Sequence, residues 1–477
     1  MENLRTRLAA AGTAAHGADE RAMAERARWV PAPTAHPNAC SRRVRGPAAH
    51  RLDQRSCAAA FPGRRERSLG GFRGGLGRPP RGKGRRGAGG ALWLLAALAL
   101  AGCAGPAVEV VETREAMNTE VTVRVVAPTD KVGRRWLALA WAEMDECVAR
   151  LDRHREGSDV WRLNKEAGLW HVEVHPLVTS CLAAAKEVYD LTGGAFDPTV
   201  GPLIELWREA ENRGREPTDE EIAKARALVG MDKLEMIVAT VQKPLDELAP
   251  APPRSPPPTP DELTRMMHSV GLREGMQVDV GGIAKGYIAG RMARRLQQAG
   301  AVAGLVAVAG DVYAFGERPA CVAGEGRDRR WGVGVQDPRY PDDRSHLYTA
   351  IRICDQGVDT SGHYYRGFWI GDRRFSHILD PRTGRPVETS LASVTVVAGD
   401  PALSDALATA IAVLGVQKGL ALVETLDGIE CLLLETAPVP ASVGGTDETK
   451  GEAPLIAHRS SGFAAMEYDP GGAPPAD

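Results

Sequence analysis

The sequence predicts an α+β protein, and three observations lead there. The run Glu120 to Val126 alternates, with Val121, Val123 and Val125 on one face, as a half-buried strand does. Leu137, Trp141, Met144, Val148 and Leu151 follow at spacings of four and three, the mark of an amphipathic helix. Further on, the chain passes from strand to helix through Gly281-Gly282, with a spacing that matches neither a P-loop nor the dinucleotide-binding GxGxxG. That spacing argues against a Rossmann topology.

The elements come in order after a long leader. Residues 1–90 are rich in Ala, Gly, Arg and Pro without apolar periodicity, and read as a disordered basic leader. Between Arg64 and Arg86 the only acid is Glu66. Ala91 to Ala101 is almost purely apolar and runs into Leu100-Ala101-Gly102-Cys103. A basic stretch, a short apolar run and a small residue before Cys read as an export signal over 91–103. The run is too short to span a bilayer as a stable helix. Its ending resembles a bacterial lipobox, which implies cleavage before Cys103, lipidation of that thiol and a membrane-anchored protein facing the periplasm or cell exterior. Export signals stand at the very N-terminus, so this reading expects translation to start later and residues 1 to about 75 not to be made.

Pro176 opens a second helix, with Val178, Cys181, Ala185 and Val188 on one face. It ends at Gly193-Gly194, and Asp197-Pro198 is a further turn signal. His154 to Asn164 reads as a loop. Thr218 and Glu221 form a capping box for a helix through Ile222, Ala225 and Leu228. Pro244 to Pro260 is packed with proline and reads as a surface insertion within one domain. Gln277 to Val280 reads as a strand. The helix after Gly282 carries Lys285 in its first turn and Ile288, Met292 and Leu296 on one face, and Gly300 ends it. Leu305 to Ala309 is a buried strand that stops at Gly310-Asp311. Trp331 to Gln336, Leu347 to Ile353 and Leu391 to Ala398 are strands. Asp400 and Pro401 open a helix that stops at Gly415. Ile429 to Leu434 is the last strand expected, and 437–477 reads as a partly disordered tail.

Composition limits the function classes. The 477 residues carry 59 basic and 61 acidic side chains, a net charge of −2, and no basic stripe with interleaved aromatics marks a nucleic-acid surface. Of eight cysteines, five (Cys147, Cys181, Cys321, Cys354 and Cys431) follow Cys103. That odd number, without CxxC, indicates neither a metal knuckle nor a full disulfide framework.

Several residues carry chemistry. A strand, a glycine turn and a helix with an early lysine make an anion site, since bare N–H groups and the helix dipole point at the turn. Taken alone, the same stretch is also a strand–helix corner with a surface lysine. Asp405 and Thr409 stand one turn apart and offer two hard oxygens to Mg²⁺. A solvated polar face is the plain alternative. Because Asp405 lies off the Leu403, Leu407, Ile411 and Leu414 face, its removal is expected to spare the fold. His377 precedes the tight-loop signal Asp380-Pro381-Arg382-Thr383-Gly384, and a His there can take a proton near neutral pH.

In order, the chain carries Met117-Asn118-Thr119, Ser158 to Asn164, Gly193 to Thr199, Asp279 to Gly286, Thr360-Ser361-Gly362, His377 to Gly384 and Ser404 to Thr409. Together these blocks resemble the ApbE family, the FAD:protein FMN transferases, from about Met117 to about Leu434. The resemblance implies two mixed α/β layers with an FAD cleft between them, within a domain over 108–436. It implies FAD contacts at Met117, His154, Ala195, Phe196, Asp197, Asp279, Lys285 and Leu379. The family has an aromatic residue where this chain has His154, and Trp161 nearby offers an aromatic surface instead. Mg²⁺ would be held by Asp405, Thr409 and the Gly282 carbonyl, with His377 as base. The implied reaction moves FMN from FAD to a Ser or Thr hydroxyl of exported or membrane redox proteins, such as subunits of sodium-translocating NADH:quinone reductase or the Rnf complex, and releases AMP. There are two rivals: an FAD pyrophosphatase, which needs the same metal ligands, and a flavin-binding lipoprotein without catalysis, which would keep Asp279 and Ala195 to Asp197 but lose Asp405, Thr409 or His377. The presence of Asp405, Thr409 and His377 together disfavours the second.

Overall fold

Alternating apolar residues on both faces of successive strands build the frame. In the computed structural model, which describes residues 107–117, 119–169, 171–242, 264–362, 367–437 and 454–469, eight strands form one sheet. They are β1 (Val108–Ala116), β2 (Thr119–Ala127), β3 (Gly304–Val308), β4 (Asp311–Phe315), β5 (Gln356–Gly362), β6 (Leu391–Ala398), β7 (Glu430–Thr436) and β8 (Leu455–Arg459). They lie side by side in chain order, each antiparallel to the next. An antiparallel sheet with its helices gathered on one face is an α+β architecture, and it excludes a Rossmann fold.

Side chains two apart along a strand share a face, so each strand feeds two cores. Val121, Val123, Val125, Val306, Val308, Val394 and Val396 face the larger core, with the helices. Val126, Leu305, Val397, Leu432 and Leu434 face the other way. On the helical side lie α1 (Asp130–Leu151), α2 (Pro176–Thr192), α3 (Ala284–Gln298) and α4 (Pro401–Val423). Both α1 and α3 pack on the sheet and on each other, as do α3 and α4, and α2 packs on α1 and α4. On the opposite face sits a three-stranded sheet of Trp331–Gln336, Leu347–Ile353 and Glu467–Tyr468. Each fully buried aliphatic side chain in these cores contributes roughly 1.5–3 kcal/mol.

Several expectations change. Gln277 to Val280 is extended but is no ladder strand, with one bridge, Gln277 to Val200. A side chain takes a neighbouring strand's place: Asn164 donates to the Val278 carbonyl at 2.8 Å and accepts the Val278 N–H at 2.6 Å. Asn164 itself lies in a short helix, Asp159–Lys165, not in a loop, because the Ser158 hydroxyl caps the helix through the Trp161 N–H. A helix over Gly201–Arg213, with Leu203, Trp207 and Ala210 buried, was not expected. Gly415 does break α4, at φ 78°, but a second helical segment carries on to Val423. The whole of α4 is long and apolar enough to cross a membrane, yet it serves as a core helix here. Within 437–477 the chain adds β8 to the sheet, and Glu467–Tyr468 pairs with Leu347–Ile353. Pro244 to Pro260 lies outside the described residues, between the paired strands Glu235–Gln242 and Thr264–Gly271. Cys147, Cys181 and Cys431 are buried and all five described cysteines are free thiols. Burial pushes the Cys147 and Cys431 thiols up to about 12.

Candidate active site

The site forms where α3 begins. The Gly281 N–H donates to Asp279 Oδ1 at 2.7 Å, closing a turn, and the Asp279 N–H donates to the Pro198 carbonyl at 2.7 Å. Both Ile283 and Ala284 then donate to the Val280 carbonyl, at 3.0 and 2.8 Å, and start the helix. Gly286 lets α3 cross α4 closely. A Cβ there would stand 1.9 Å from the Pro401 carbonyl oxygen and 2.9 Å from Asp405 Cβ, so no other residue fits. Gly282 lies beside Thr409 in the same way, its would-be Cβ 3.3 Å from Thr409 Oγ1.

This crossing brings four ionisable groups together, Lys285, Asp311, Asp359 and Asp405. Lys285 Nζ stands 2.9 Å from Asp405 Oδ1 and 2.9 Å from Asp311 Oδ2. The Gly286 N–H donates to Asp405 Oδ2 at 3.0 Å. Asp311, Asp359 and Asp405 are all buried, with one oxygen from each lying within 4.8 Å of the others. Asp359 accepts the Ser404 hydroxyl on Oδ2, while its Oδ1 is buried without a hydrogen-bond partner. Burial lowers the Lys285 pKa, but Asp311 and Asp405 outweigh it and hold the ammonium above its ordinary value. Burial pushes the Asp311 carboxyl up to about 7, with Lys285 opposing the shift. Asp359 is raised well above the carboxylate range, by burial first and then by Asp311 and Asp405.

A cleft of about 1010 Å³ opens beside this cluster. Its walls include Ala195, Phe196, Asp197, Asp279, Gly282, Lys285, His377, Leu379 and Thr409. They also include Arg124 and Val312 from the main sheet and Trp331 to Gly334 from the small one. His377 is exposed and follows a hairpin, Gly367–Ile370 with Arg373–Ser376, whose Phe368 and Phe375 pack with Trp207. The Trp207 indole N–H donates to the Gly384 carbonyl at 2.9 Å, bracing the loop beyond His377. Asp380 organises that loop: its oxygens receive Arg382 Nε and Nη2, each at 2.9 Å. Asp197 is turned into its own turn, where Oδ1 accepts the Thr199 N–H at 2.8 Å and hydroxyl at 2.6 Å. Burial raises the Asp197 carboxyl against those bonds.

Two expected residues stand apart from the cleft. Met117 occupies the β1–β2 turn with φ 52° and is 38 % exposed, because the hairpin reverses there; Thr119 lines the cleft instead. His154 lies in a neighbouring depression with Trp161, Asn164 and Lys165. The Asp152 carboxylate holds the His154 N–H at 2.9 Å, and it is the preceding Arg153 that reaches Asp279, at 2.9 Å. Trp161 is covered by Lys165, whose Nζ is 4.4 Å from the ring centroid. Cys103 lies outside the described residues. Sequence reasoning missed Arg153, Asp311 and Asp359. The available signals were a Gly-Asp pair ending an apolar run and an Asp between Val358 and Thr360.

A cleft rimmed by a helix N-terminus, a half-buried lysine and buried carboxylates has the chemistry to receive a phosphorylated ligand, and its hard oxygens are of the kind that hold a divalent cation. Solved flavin transferases share this fold. The structure superposes on the flavinyl transferase ApbE of Pseudomonas stutzeri, apo form, with TM-score 0.56 and 25% identity over 76% of this chain and 97% of that one. The ApbE protein of Thermotoga maritima gives TM-score 0.56 and 27% identity over 76% of this chain and 100% of its own. The ApbE family model matches residues 117–433, and the chain belongs to that family. It is 28% identical to the FAD:protein FMN transferase of Treponema pallidum, covering 71% of this chain and 89% of the relative. The corresponding protein of Salmonella typhimurium is 29% identical, with 69% and 87% covered.

Proposed function

We propose that this chain transfers FMN from FAD to a Ser or Thr hydroxyl of an exported or membrane redox protein and releases AMP. The observation that carries the reading is the single cleft shared by the α3 N-terminus, Thr409 and His377. The relatives named as FAD:protein FMN transferases support it. The donor set fits Mg²⁺: a buried carboxylate on Asp405, the Thr409 hydroxyl 3.4 Å from the Ser361 hydroxyl, and the Gly282 backbone beside them. Bound there, Mg²⁺ supplies charge neutralisation on the pyrophosphate.

The chain's own residues do the rest. Backbone N–H groups at Gly281 to Ala284 and Lys285 draw the phosphates to the helix start. Phe196 and Leu379 give the cleft apolar walls. His377 takes the proton as the acceptor hydroxyl oxygen bonds to the FMN phosphorus. The bond from that phosphorus to the bridging oxygen breaks, and AMP leaves with the oxygen. The acceptors this reading favours are subunits of sodium-translocating NADH:quinone reductase or Rnf type.

The test is incubation of purified protein with FAD, Mg²⁺ and such an acceptor, followed by mass measurement. An acceptor heavier by one FMN, with AMP in solution, supports the reading; free FMN with an unmodified acceptor replaces it with FAD hydrolysis. The same proposal places the protein on the membrane through lipidated Cys103, exported to the periplasm or cell exterior. Cys103→Ala should then release it from the membrane fraction, and a variant that stays there and still takes up fatty acid overturns that part.

A further inference from the structure

We infer that Asp311 is a positioning residue that holds the Lys285 ammonium when a divalent cation takes Asp405. The inference rests on the metal reading above and deepens it. Both oxygens of Asp405 are engaged, Oδ1 by Lys285 at 2.9 Å and Oδ2 by the Gly286 N–H at 3.0 Å. A cation arriving at Asp405 must therefore share Oδ1 with an ammonium or displace it. Like charges that close in a buried site repel strongly.

Asp311 resolves the competition. Its Oδ2 lies 2.9 Å from the same Nζ, an ion-pair distance equal to that of Asp405, but the ammonium is aligned to hydrogen-bond Asp405 and leaves this oxygen's acceptor capacity open. Lys285 can give up Asp405 through a small side-chain rotation and keep a carboxylate partner. Asp311 is 3% exposed and fixed at the start of β4, just past the β3–β4 turn at Ala309 and Gly310, where φ is 56° and 97°. Asp359 is placed differently: its Oδ2 accepts the Ser404 hydroxyl, and the Lys285 ammonium is within ion-pair distance of Asp311 and Asp405 but not of the other Asp359 oxygen. Without Asp311, a cation at Asp405 would leave the partly buried Lys285 ammonium beside a like charge with no carboxylate of its own.

The test is a double-mutant cycle on the purified full chain, with Mg²⁺ alone titrated by calorimetry and folding checked by circular dichroism. Asp311→Asn should weaken Mg²⁺ binding about tenfold or more. Lys285→Met should tighten it, since the competitor is gone. In the Lys285→Met background, adding Asp311→Asn should change affinity by no more than about threefold. Equal loss in both backgrounds would mean that Asp311 ligates the metal or acts only through its charge, and overturns the inference. If Asp311→Asn does not fold with Lys285 present, Lys285→Met decides alone: unchanged or weaker binding overturns it. Asp405→Ala is the control. Its loss of Mg²⁺ binding keeps the metal reading standing whatever the cycle shows, and its unchanged binding overturns the metal reading and this inference together.

Discussion

Arg153 and Asp279 are joined by a 2.9 Å ion pair that links the depression beside His154 to the main cleft. Arg153 is 9% exposed on its side chain and also holds Glu205 at 2.8 Å and Gln277 at 3.1 Å. One guanidinium thus ties the α1 end to the helix Gly201–Arg213 and to the turn before α3. Its planar fork suits three acceptors where a lysine would serve one. Arg153→Ala leaves the partly buried Asp279 without its cation and Glu205 with Arg208 alone. We expect a loss of about 2–3 kcal/mol, below the fully buried case because Asp279 keeps some exposure, and weaker FAD binding as Asp279 loosens. Urea unfolding and flavin fluorescence measure the two effects. A shift of the midpoint too small to resolve would show that the pair contributes little.

Acid should loosen the cap of the helix Asp219–Ala227. The Glu221 carboxyl is pulled down to about 2 from 4.5, first by its bond with Arg215 and then by the Thr218 N–H. A group lowered on folding stabilises above its unfolded value, and that stabilisation is lost as pH falls through its folded one. The window here is from 4.5 down to about 2. The group is at the surface, so salt should shrink the effect. Stability of the native protein and of Glu221→Gln, followed across that window at two salt concentrations, should converge at the acid end. Parallel curves throughout would exclude the linkage.

Much of this was legible in the sequence because it is local. The valine alternation of β2, the capping box at Thr218 and Glu221, and the strands Trp331–Gln336, Leu347–Ile353 and Leu391–Ala398 all follow from near neighbours. What escaped depends on distant partners. Asp311 becomes part of the site only because β4 begins beside α3 and α4. Asp359 stands between Val358 and Thr360 within β5 and looks like a misplaced charge until Ser404 is brought against it. Met117 and His154 lie outside the main cleft: each sits at a turn whose direction short-range pattern does not fix. Gln277 to Val280 has strand composition, but Asn164 satisfies its backbone where a neighbouring strand would have done.

Replacing His377 with Asn should reduce FMN transfer by a factor of about 10² to 10⁴, the usual worth of a general base. FAD binding should change little, since His377 is exposed on the cleft wall and removes no core contact. Single-turnover transfer beside flavin fluorescence separates the two. Transfer within a few-fold of normal would move the base elsewhere.

Residues 244–260 join two strands whose ends already pair, Gln242 with Thr264. Replacing them with a short Gly-Ser bridge should cost little stability, because loop-closure entropy grows only slowly with length. Thermal unfolding of the shortened chain checks this, and loss of soluble protein would show that the segment packs on the fold.

Asp405 discriminates best between structure and chemistry. From the sequence alone its replacement by Ala looked harmless to the fold, because the apolar face of α4 is complete without it. The structure reverses that expectation. Asp405 is 3% exposed and accepts both Lys285 and the Gly286 N–H. Asp405→Ala therefore strips a buried amide of its acceptor and leaves Lys285 with Asp311 alone. The better helix propensity of Ala returns only a few tenths of a kcal/mol. An unsatisfied buried donor costs about 1–3 kcal/mol, so the variant should fold with reduced stability. Asp405→Asn keeps one acceptor oxygen and the side-chain shape, and should unfold closer to the native protein. Both should lose transfer about a thousandfold, because both remove the only charged ligand proposed for Mg²⁺. High Mg²⁺ should rescue Asp405→Glu better than Asp405→Ala. Denaturant unfolding, flavin fluorescence and mass-detected transfer on the same preparations give the pattern. If Asp405→Asn transfers FMN at nearly the native rate while still requiring metal, the cation sits elsewhere and the role assigned to α4 is wrong.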